Sequence, residues 1–486
     1  MKKQKILKGK VLVTTILLSL FSAAMLWSQE KMPITTSSQE AKALFLKGRQ
    51  QLENFQWEKA NQLMEKAIKL DPFFAMAYLY QANAIGHGKV YSETFLDRAC
   101  KLSDLVSEPE KEMILFARAY QSGHISAMKK HCDAMLQLCP DDERFLNCVG
   151  WHHYMNGDYR NAALYYKRAT RENDKFHPAF KMLGKSMVSL GKREEAEQCF
   201  KKYVELLPNH ADSWMSYARF LKSERRNDEA ADHYQKALEL DPDLALAYKD
   251  LGDIAFFSGN IQSARQYYRD LYKQAPSLGW KFWALRLEAS IYLHENKFEE
   301  AMRVMDRYNL LAREKDRPYH QFQGKVYYGY ILTQQGKIDK GLNQYNEARK
   351  IAKTNDFHPK LRKKLITRSH LSAFHAMAQN GYMEEPESVK SKCKEMLSQV
   401  KDPKQWELYH RMCATIEINN GNYRKARKYL KKSGDNPLVW YFMGLAYQKS
   451  GREKKALQWY RKVVDHHNNS IYLSSIRNHA LANVLE

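Results

Sequence analysis

The chain is 486 residues long, with 78 lysines and arginines against 55 aspartates and glutamates, a formal charge of +23. That length excludes one ordinary compact core and calls for several domains or a repeat array. Sparse Gly and Pro, with apolar residues at three- and four-residue spacing, exclude a strand-rich fold. The charge suits acidic partners, whether acidic protein segments, anionic headgroups or polyanions. No recognised nucleic-acid module accompanies it, so nucleic acid is not expected among them.

The first ten residues, MKKQKILKGK, are basic, and residues 11–27 (VLVTTILLSLFSAAMLW) carry no charge. That order, followed by small residues at Ser22 and Ala24, reads as a signal peptide cleaved after Ala24 or after Ser28. The uncharged run also reaches the lower limit for a spanning helix, so residues 1–28 are a signal peptide or an N-terminal membrane anchor. Either way the body is expected outside the cytosol, periplasmic or tethered through residues 11–27. Residues 29–40 (QEKMPITTSSQE) read as a polar linker, with Thr36, Ser37 or Ser38 placed to cap the first helix.

From Ala41 a helical pattern takes over, and residues 41–276 form a regular array. Ala41 to Pro72 carries Gly48, Trp57, Ala60 and Ala67. The stretch from Ala75 to Leu105 is looser, with Tyr78, Ala82 and Ala99, and Glu108 to Pro140 carries Ala127 and Ala134. A fourth unit holds Leu146, Val149, Gly150, Gly157, Tyr159, Ala162, Tyr166 and Ala169. From His177 to Leu278 three segments then align without a gap. Gly184, Ala218 and Gly252 share one position, Ala196, Ala230 and Ala264 a second, and Pro208, Pro242 and Pro276 a third, with Phe180, Trp214 and Tyr248 ahead of the small residue. The small residues mark where paired helices cross closely, and each Pro stops the second helix.

Over residues 277–402 the repeats lengthen and lose regularity. Ala289, Tyr292, Phe298 and Ala301 keep their classes, and the helix after Phe298 runs on to Lys315. Tyr328, Gly329, Gly336, Tyr345 and Ala348 anchor the next unit, and residues 353–402 are broken at Gly381 and Pro386. Regularity returns over 403–486 with Ala414, Gly421, Tyr423 and Ala426, then Trp440, Met443, Gly444, Tyr447, Gly451, Ala456 and Tyr460. Ile471 to Leu485 reads as a last helix, polar on one face, that caps the stack.

A register of 34 residues with these classes in place resembles the tetratricopeptide repeat. The resemblance implies an all-α, right-handed α-solenoid of about eleven helix pairs with a C-terminal capping helix. It also implies that the first helix of each pair lines a concave groove. The groove-facing positions are then Asn147, Trp151, Tyr154, Lys181, Lys185, Met215, Arg219, Lys222, Lys249, Asp253 and Phe256. Such a surface is basic in its middle and aromatic at its ends, and suits a segment joining Asp or Glu to apolar side chains. The family's carboxylate clamp is not reproduced: with Lys181 as its first lysine, Lys185 and Met215 hold the asparagine positions. The implied function is a non-enzymatic protein-interaction scaffold of the cell envelope. The alternative is a sensory or regulatory module acting through a separate signalling protein.

Catalytic constellations are not evident. His294 and Glu295 lack a second histidine, and His152 and His153 point apart on a helix. His410 and Cys413 share a face, but two ligands do not make a zinc site. Phosphate loops and nucleophile elbows are missing, so neither cofactor nor metal is expected. Cys100, Cys132, Cys139, Cys148, Cys199, Cys393 and Cys413 match no disulfide framework and read as buried thiols. Cys139 and Cys148 flank a turn between repeats and are the pair to examine for a bridge.

Overall fold

The computed structural model describes residues 31–86, 90–466 and 469–485. The expected signal peptide or anchor, residues 1–28, lies outside the described residues. Among the described residues no helix is long and apolar enough to cross a membrane, and all regular structure is helical, with 25 α-helices and one short 3-10 turn. The chain divides into two units, one ending at Leu240 and the other beginning at Asp241, well before the change of register expected at 276.

The first unit comprises α1 (Gln39–Glu53), α2 (Trp57–Leu70), α3 (Ala75–Ile85), α4 (Glu93–Lys101), α5 (Glu108–Gln121), α6 (Ile125–Leu138), α7 (Glu143–Met155), α8 (Tyr159–Glu172), α9 (His177–Ser189), α10 (Arg193–Leu206), α11 (Ala211–Ser223) and α12 (Asn227–Leu240). These make six antiparallel pairs. In five of the six pairs the residue linking the first helix to its second sits in the left-handed region. Gly157 (φ 75°) and Gly191 (φ 74°) reach it freely, whereas Phe55 (φ 58°) and Arg225 (φ 62°) reach it at a steric cost. Within a pair the small residue meets a buried ring: a Cβ on Gly150 would stand 2.7 Å from Tyr166, and one on Gly184 3.0 Å from Phe200.

The segment expected as a linker is instead pinned to the first unit. The Met32 amide donates to Asp142 at 3.1 Å, and the Thr35 amide to Glu110 at 2.8 Å. Asp71 accepts from the Thr36 hydroxyl at 2.6 Å and the Ser37 amide at 2.8 Å, while Lys31 pairs with Glu143 at 3.0 Å. Four acidic residues at the ends of α2, α5 and α7 thus hold one extended strand of chain. Ser38 caps α1 by accepting from the Ala41 amide at 3.1 Å. The turn after α1 also crosses to later helices. Glu53 pairs with Arg144 at 2.9 Å, and the Phe55 ring stacks on His210 at 4.6 Å and lies 5.8 Å from His177.

The second unit comprises α13 (Ala245–Phe257), α14 (Ile261–Lys273), α15 (Leu278–His294), α16 (Phe298–Glu314), α17 (Pro318–Gln334), α18 (Ile338–Thr354), α19 (Pro359–Gln379), α20 (Pro386–Ser398), α21 (Pro403–Asn419), α22 (Tyr423–Leu430), α23 (Pro437–Gln448), α24 (Glu453–Val464) and α25 (Ile471–Leu485). The irregular stretch resolves into longer helices: 17 residues in each of α15 to α18 and 21 in α19. Residues 359–398 supply a pair of their own, so the described residues hold twelve pairs and a final helix, consistent with the expected count of about eleven.

The final helix, expected to cap the stack with one face polar, is buried on several sides. It packs on α15 as well as on α23 and α24, and Ile471, Leu473, Ser474, Ile476, Arg477 and Ala480 are all buried. Residues buried around so much of the circumference demand neighbours on several sides. Asn478 donates to the His294 carbonyl, Ser475 meets the Tyr330 hydroxyl, and the Arg477 guanidinium lies 4.7 Å over the Phe257 ring.

The Cys139–Cys148 bridge is not formed. Cys148 is a thiol in the middle of α7, its pKa pushed up to about 12 by burial. Cys139 caps the C-terminus of α6 and is 5% exposed within the core.

Candidate peptide-binding surface

The residues expected to face a groove fall in both units, and their surroundings differ. In the first unit, α7 carries Asn147, Trp151 and Tyr154, α9 carries Lys181 and Lys185, and α11 carries Met215, Arg219 and Lys222. Spacings of four and three keep each set on one helical face. Trp151 and Tyr154 stack at 6.0 Å with 13° between their planes, and the Tyr120 ring meets Trp151 edge-on at 6.4 Å. Burial, then the neighbouring Tyr159, raises the Tyr154 pKa.

Lys181 is held in an ion pair. Its ammonium donates to Asp212 at 2.6 Å, the same carboxylate oxygen that accepts from the Tyr203 hydroxyl at 2.7 Å. It also lies 5.6 Å from the centre of the Phe55 ring, a favourable cation–π placement. Lys185, one turn further along α9, has no ion-pair partner among the described residues and is half-buried. Burial first, then repulsion from Lys181, lowers its pKa to about 8, Arg219 adding to the repulsion and Asp212 opposing it. Arg219 is exposed, while Met215 and Lys222 are half-buried beside it.

Phe55, the ring beneath Lys181, also lines an apolar cavity of about 300 Å³ with Leu52, Tyr80, Phe116, Phe176 and, among others, Asn147. The Asn147 side-chain oxygen is buried without a hydrogen-bond partner. A neighbouring recess of about 240 Å³ is walled by Tyr91, Tyr120 and Trp151. Sequence reasoning missed Phe55, Tyr80, Tyr91 and Phe116. Phe55 carries a readable signal, since it stands at a turn position that other repeats give to Gly. Tyr80 and Phe116 belong to the loosely patterned repeats, where register could not assign a face.

In the second unit the three expected residues serve its own packing. Lys249 pairs with Asp253 at 2.6 Å and with Asp250 at 3.2 Å. Asp253 is 1% exposed and accepts from the Tyr268 hydroxyl at 2.8 Å. Phe256 is buried, edge-on to His294 at 4.9 Å, with the Arg477 guanidinium 5.8 Å above its ring. Asp253 and Phe256 are thus buried within the unit, and Arg477 of the last helix covers the Phe256 ring. Groups of three or more potential metal ligands do not occur among the described residues.

Two tetratricopeptide repeat models match the chain, one over residues 181–245 and 220–279 and one over residues 438–465. Over 58 residues the chain is 43% identical to human Protein O-mannosyl-transferase TMTC1, a match covering 12% of this chain and 7% of that protein. Over 118 residues it is 26% identical to the CTR9 homolog of Arabidopsis thaliana, covering 24% of this chain and 11% of that one. The chain therefore spans only a small part of the length of these relatives. Among solved structures, a tetratricopeptide repeat protein from Parabacteroides merdae is 15% identical, with a TM-score of 0.37, over 54% of this chain and 98% of that one. The repeat matches coincide with the stretches of clearest register, and in those stretches the helices pair with a small residue set against a buried ring: the chain is a tetratricopeptide-repeat protein.

Proposed function

We propose that the chain is a non-enzymatic interaction scaffold whose first unit grips a partner segment joining an acidic residue to an apolar one. The observation that carries this reading is Lys185, a half-buried lysine that forms no ion pair among the described residues. An isolated buried ammonium is costly to maintain, and an incoming carboxylate would relieve that cost. Arg219 lies close enough to add to the field, and the apolar cavity at Phe55 receives the neighbouring side chain. Hydrogen-bond capacity left over at Asn147 suits the backbone of a bound segment. The repeat helices fill nearly all of the described chain, which supports a binding role over a catalytic one. The basic and then apolar order of the first 28 residues supports placement of the scaffold in the cell envelope, periplasmic or membrane-tethered.

The test uses the full chain and two labelled peptides of identical spacing, one alternating Asp or Glu with Leu or Phe, the other with Lys in place of the acids. The acidic peptide is expected to bind and the basic one not. The K185E/R219E double variant should reverse that preference, leaving Lys181 with its structural partner Asp212. Equal binding of both peptides, or no change in the double variant, would sink the proposal.

A further inference from the structure

The second unit encloses a cavity of about 600 Å³ between α17, α19, α21 and α23, with α25 closing one side. That volume lies within the range of about 300–1,000 Å³ typical of small-molecule sites. Its walls bring together Lys364, Arg368, Lys404 and Arg411, against the acids Asp402 and Glu407. Asp402 is already committed, since it pairs with Lys364 at 2.8 Å and caps α21. Neither Arg368 nor Arg411 forms an ion pair among the described residues. The Arg411 Nε is buried without a hydrogen-bond partner, and burial first of all lowers its pKa to about 10, with Tyr472, Glu407 and Tyr330 only partly opposing. Gln405, 4% exposed, leaves its side-chain oxygen buried and unpartnered in the same wall, while its nitrogen donates to the Lys364 carbonyl at 2.8 Å. Phe442, Leu438, Tyr345 and Ile476 supply apolar wall between these groups.

A guanidinium that forms no ion pair among the described residues and keeps a buried Nε unpartnered, as Arg411 does, is suited to planar or tetrahedral anions, which take two parallel hydrogen bonds from one arginine. A free acceptor at Gln405 asks for a donor on the same ligand. We propose that this cavity is a binding site for a small hydroxylated anion, a phosphate ester or carboxylate of the sugar-phosphate or sugar-acid class. Arg368 and Arg411 would hold the charged group and Gln405 would accept from a hydroxyl. The site is independent of the peptide surface on the first unit. Because Ser470, Tyr472, Leu473 and Ile476 of the last helix and the turn before it line the cavity, an occupant would also hold α25 in place.

The experiment measures thermal unfolding of the full chain with glucose 6-phosphate, glucuronate and glucose, backed by calorimetric titration. At least one of the two anions should raise the Tm saturably, by about 3–5 °C at a hundredfold excess over Kd, and glucose should not. A response to glucose 6-phosphate alone assigns a phosphate ester, and to glucuronate alone a carboxylate. R411M and R368M should each weaken binding by at least about tenfold, the worth of a charged hydrogen bond. No saturable shift with either anion, or the same shift in R411M as in the unsubstituted chain, overturns the proposal. If neither variant folds, hydrogen exchange of the unsubstituted chain decides. Slower exchange in Ile471–Leu485 with the active anion supports the site, and unchanged exchange there overturns it.

Discussion

On the proposed reading, Lys185 would join a folding cost to a binding gain. Its ordinary value is 10.5 and its folded value about 8, so between those pH values the unfolded chain holds a proton that the folded chain has released. Stability therefore rises with pH across that window. Below about 8 the lysine is charged in both states, and the full cost of its desolvation falls on the fold. A bound carboxylate would favour the charged form and lift the pKa back. Affinity for the acidic peptide should consequently fall as pH rises through 8, and binding at pH 8 should take up protons. Titration in two buffers of different ionisation enthalpy checks this; equal apparent enthalpies would show that Lys185 does not titrate on binding. K185M should abolish the pH dependence while stabilising the unliganded chain by about 1 kcal/mol at pH 7. The position of Lys185 was legible in the sequence, because Gly184 fixes the register one residue away and its ring partner Phe200 lies in the next helix. The ion pairing of Lys181 was not legible. Its partner Asp212 is 31 residues distant, at a repeat position where the pattern sets no rule.

Elements tied down by distant partners were the least readable. The polar composition of residues 29–40 reads as a linker because nothing local shows that Asp71, Glu110, Asp142 and Glu143 gather from the ends of α2, α5 and α7. The burial of the last helix was hard to read for a related reason. Its apolar residues are spread around the circumference, a sign of burial on more than one side, but the partner α15 lies far back along the chain. The N-terminal strand yields a direct prediction. Burial alone would raise the Asp71 pKa, but hydrogen bonds from Thr36, Ser37 and Phe73 outweigh it and hold the carboxyl below its ordinary value. A depressed carboxylate stabilises above its unfolded pKa, and that contribution is lost as pH falls through the folded one. D71A should free the strand at neutral pH, at a cost of about 1–3 kcal/mol for the hydrogen bonds removed. Hydrogen exchange across residues 31–38 should then accelerate in the variant at pH 7, and in the unsubstituted chain only under acid conditions. Exchange that is equally slow in D71A would mean that Glu110 and Asp142 hold the strand unaided.

In an open row of repeats each unit touches only its neighbours, and stability is nearly a sum of adjacent terms. The first unit departs from that arrangement. Glu53 and Phe55, in the turn of the first pair, reach Arg144, His177 and His210 in the fourth, fifth and sixth pairs. The strand at residues 31–38 adds further ties from Asp71 to Asp142. Contacts between repeats so far apart in sequence couple the stability of the first pair to that of the last. Residues 31–240 should accordingly fold alone and unfold in urea in one transition, with the large denaturant dependence of a unit of that size. F55G keeps a turn residue suited to positive φ but removes the ring from His177 and His210, so it separates the long-range tie from the local strain of the turn. In that variant the transition should broaden or split as the outer pairs fray ahead of the centre. Circular dichroism read alongside fluorescence of Trp57 and Trp214, which sit in the first and sixth pairs, would resolve this. Coincident curves in the fragment that separate in F55G are the expected result. Curves that already separate in the unsubstituted fragment would mean the first unit behaves as an open row after all, with the Phe55 contacts adding no cooperativity.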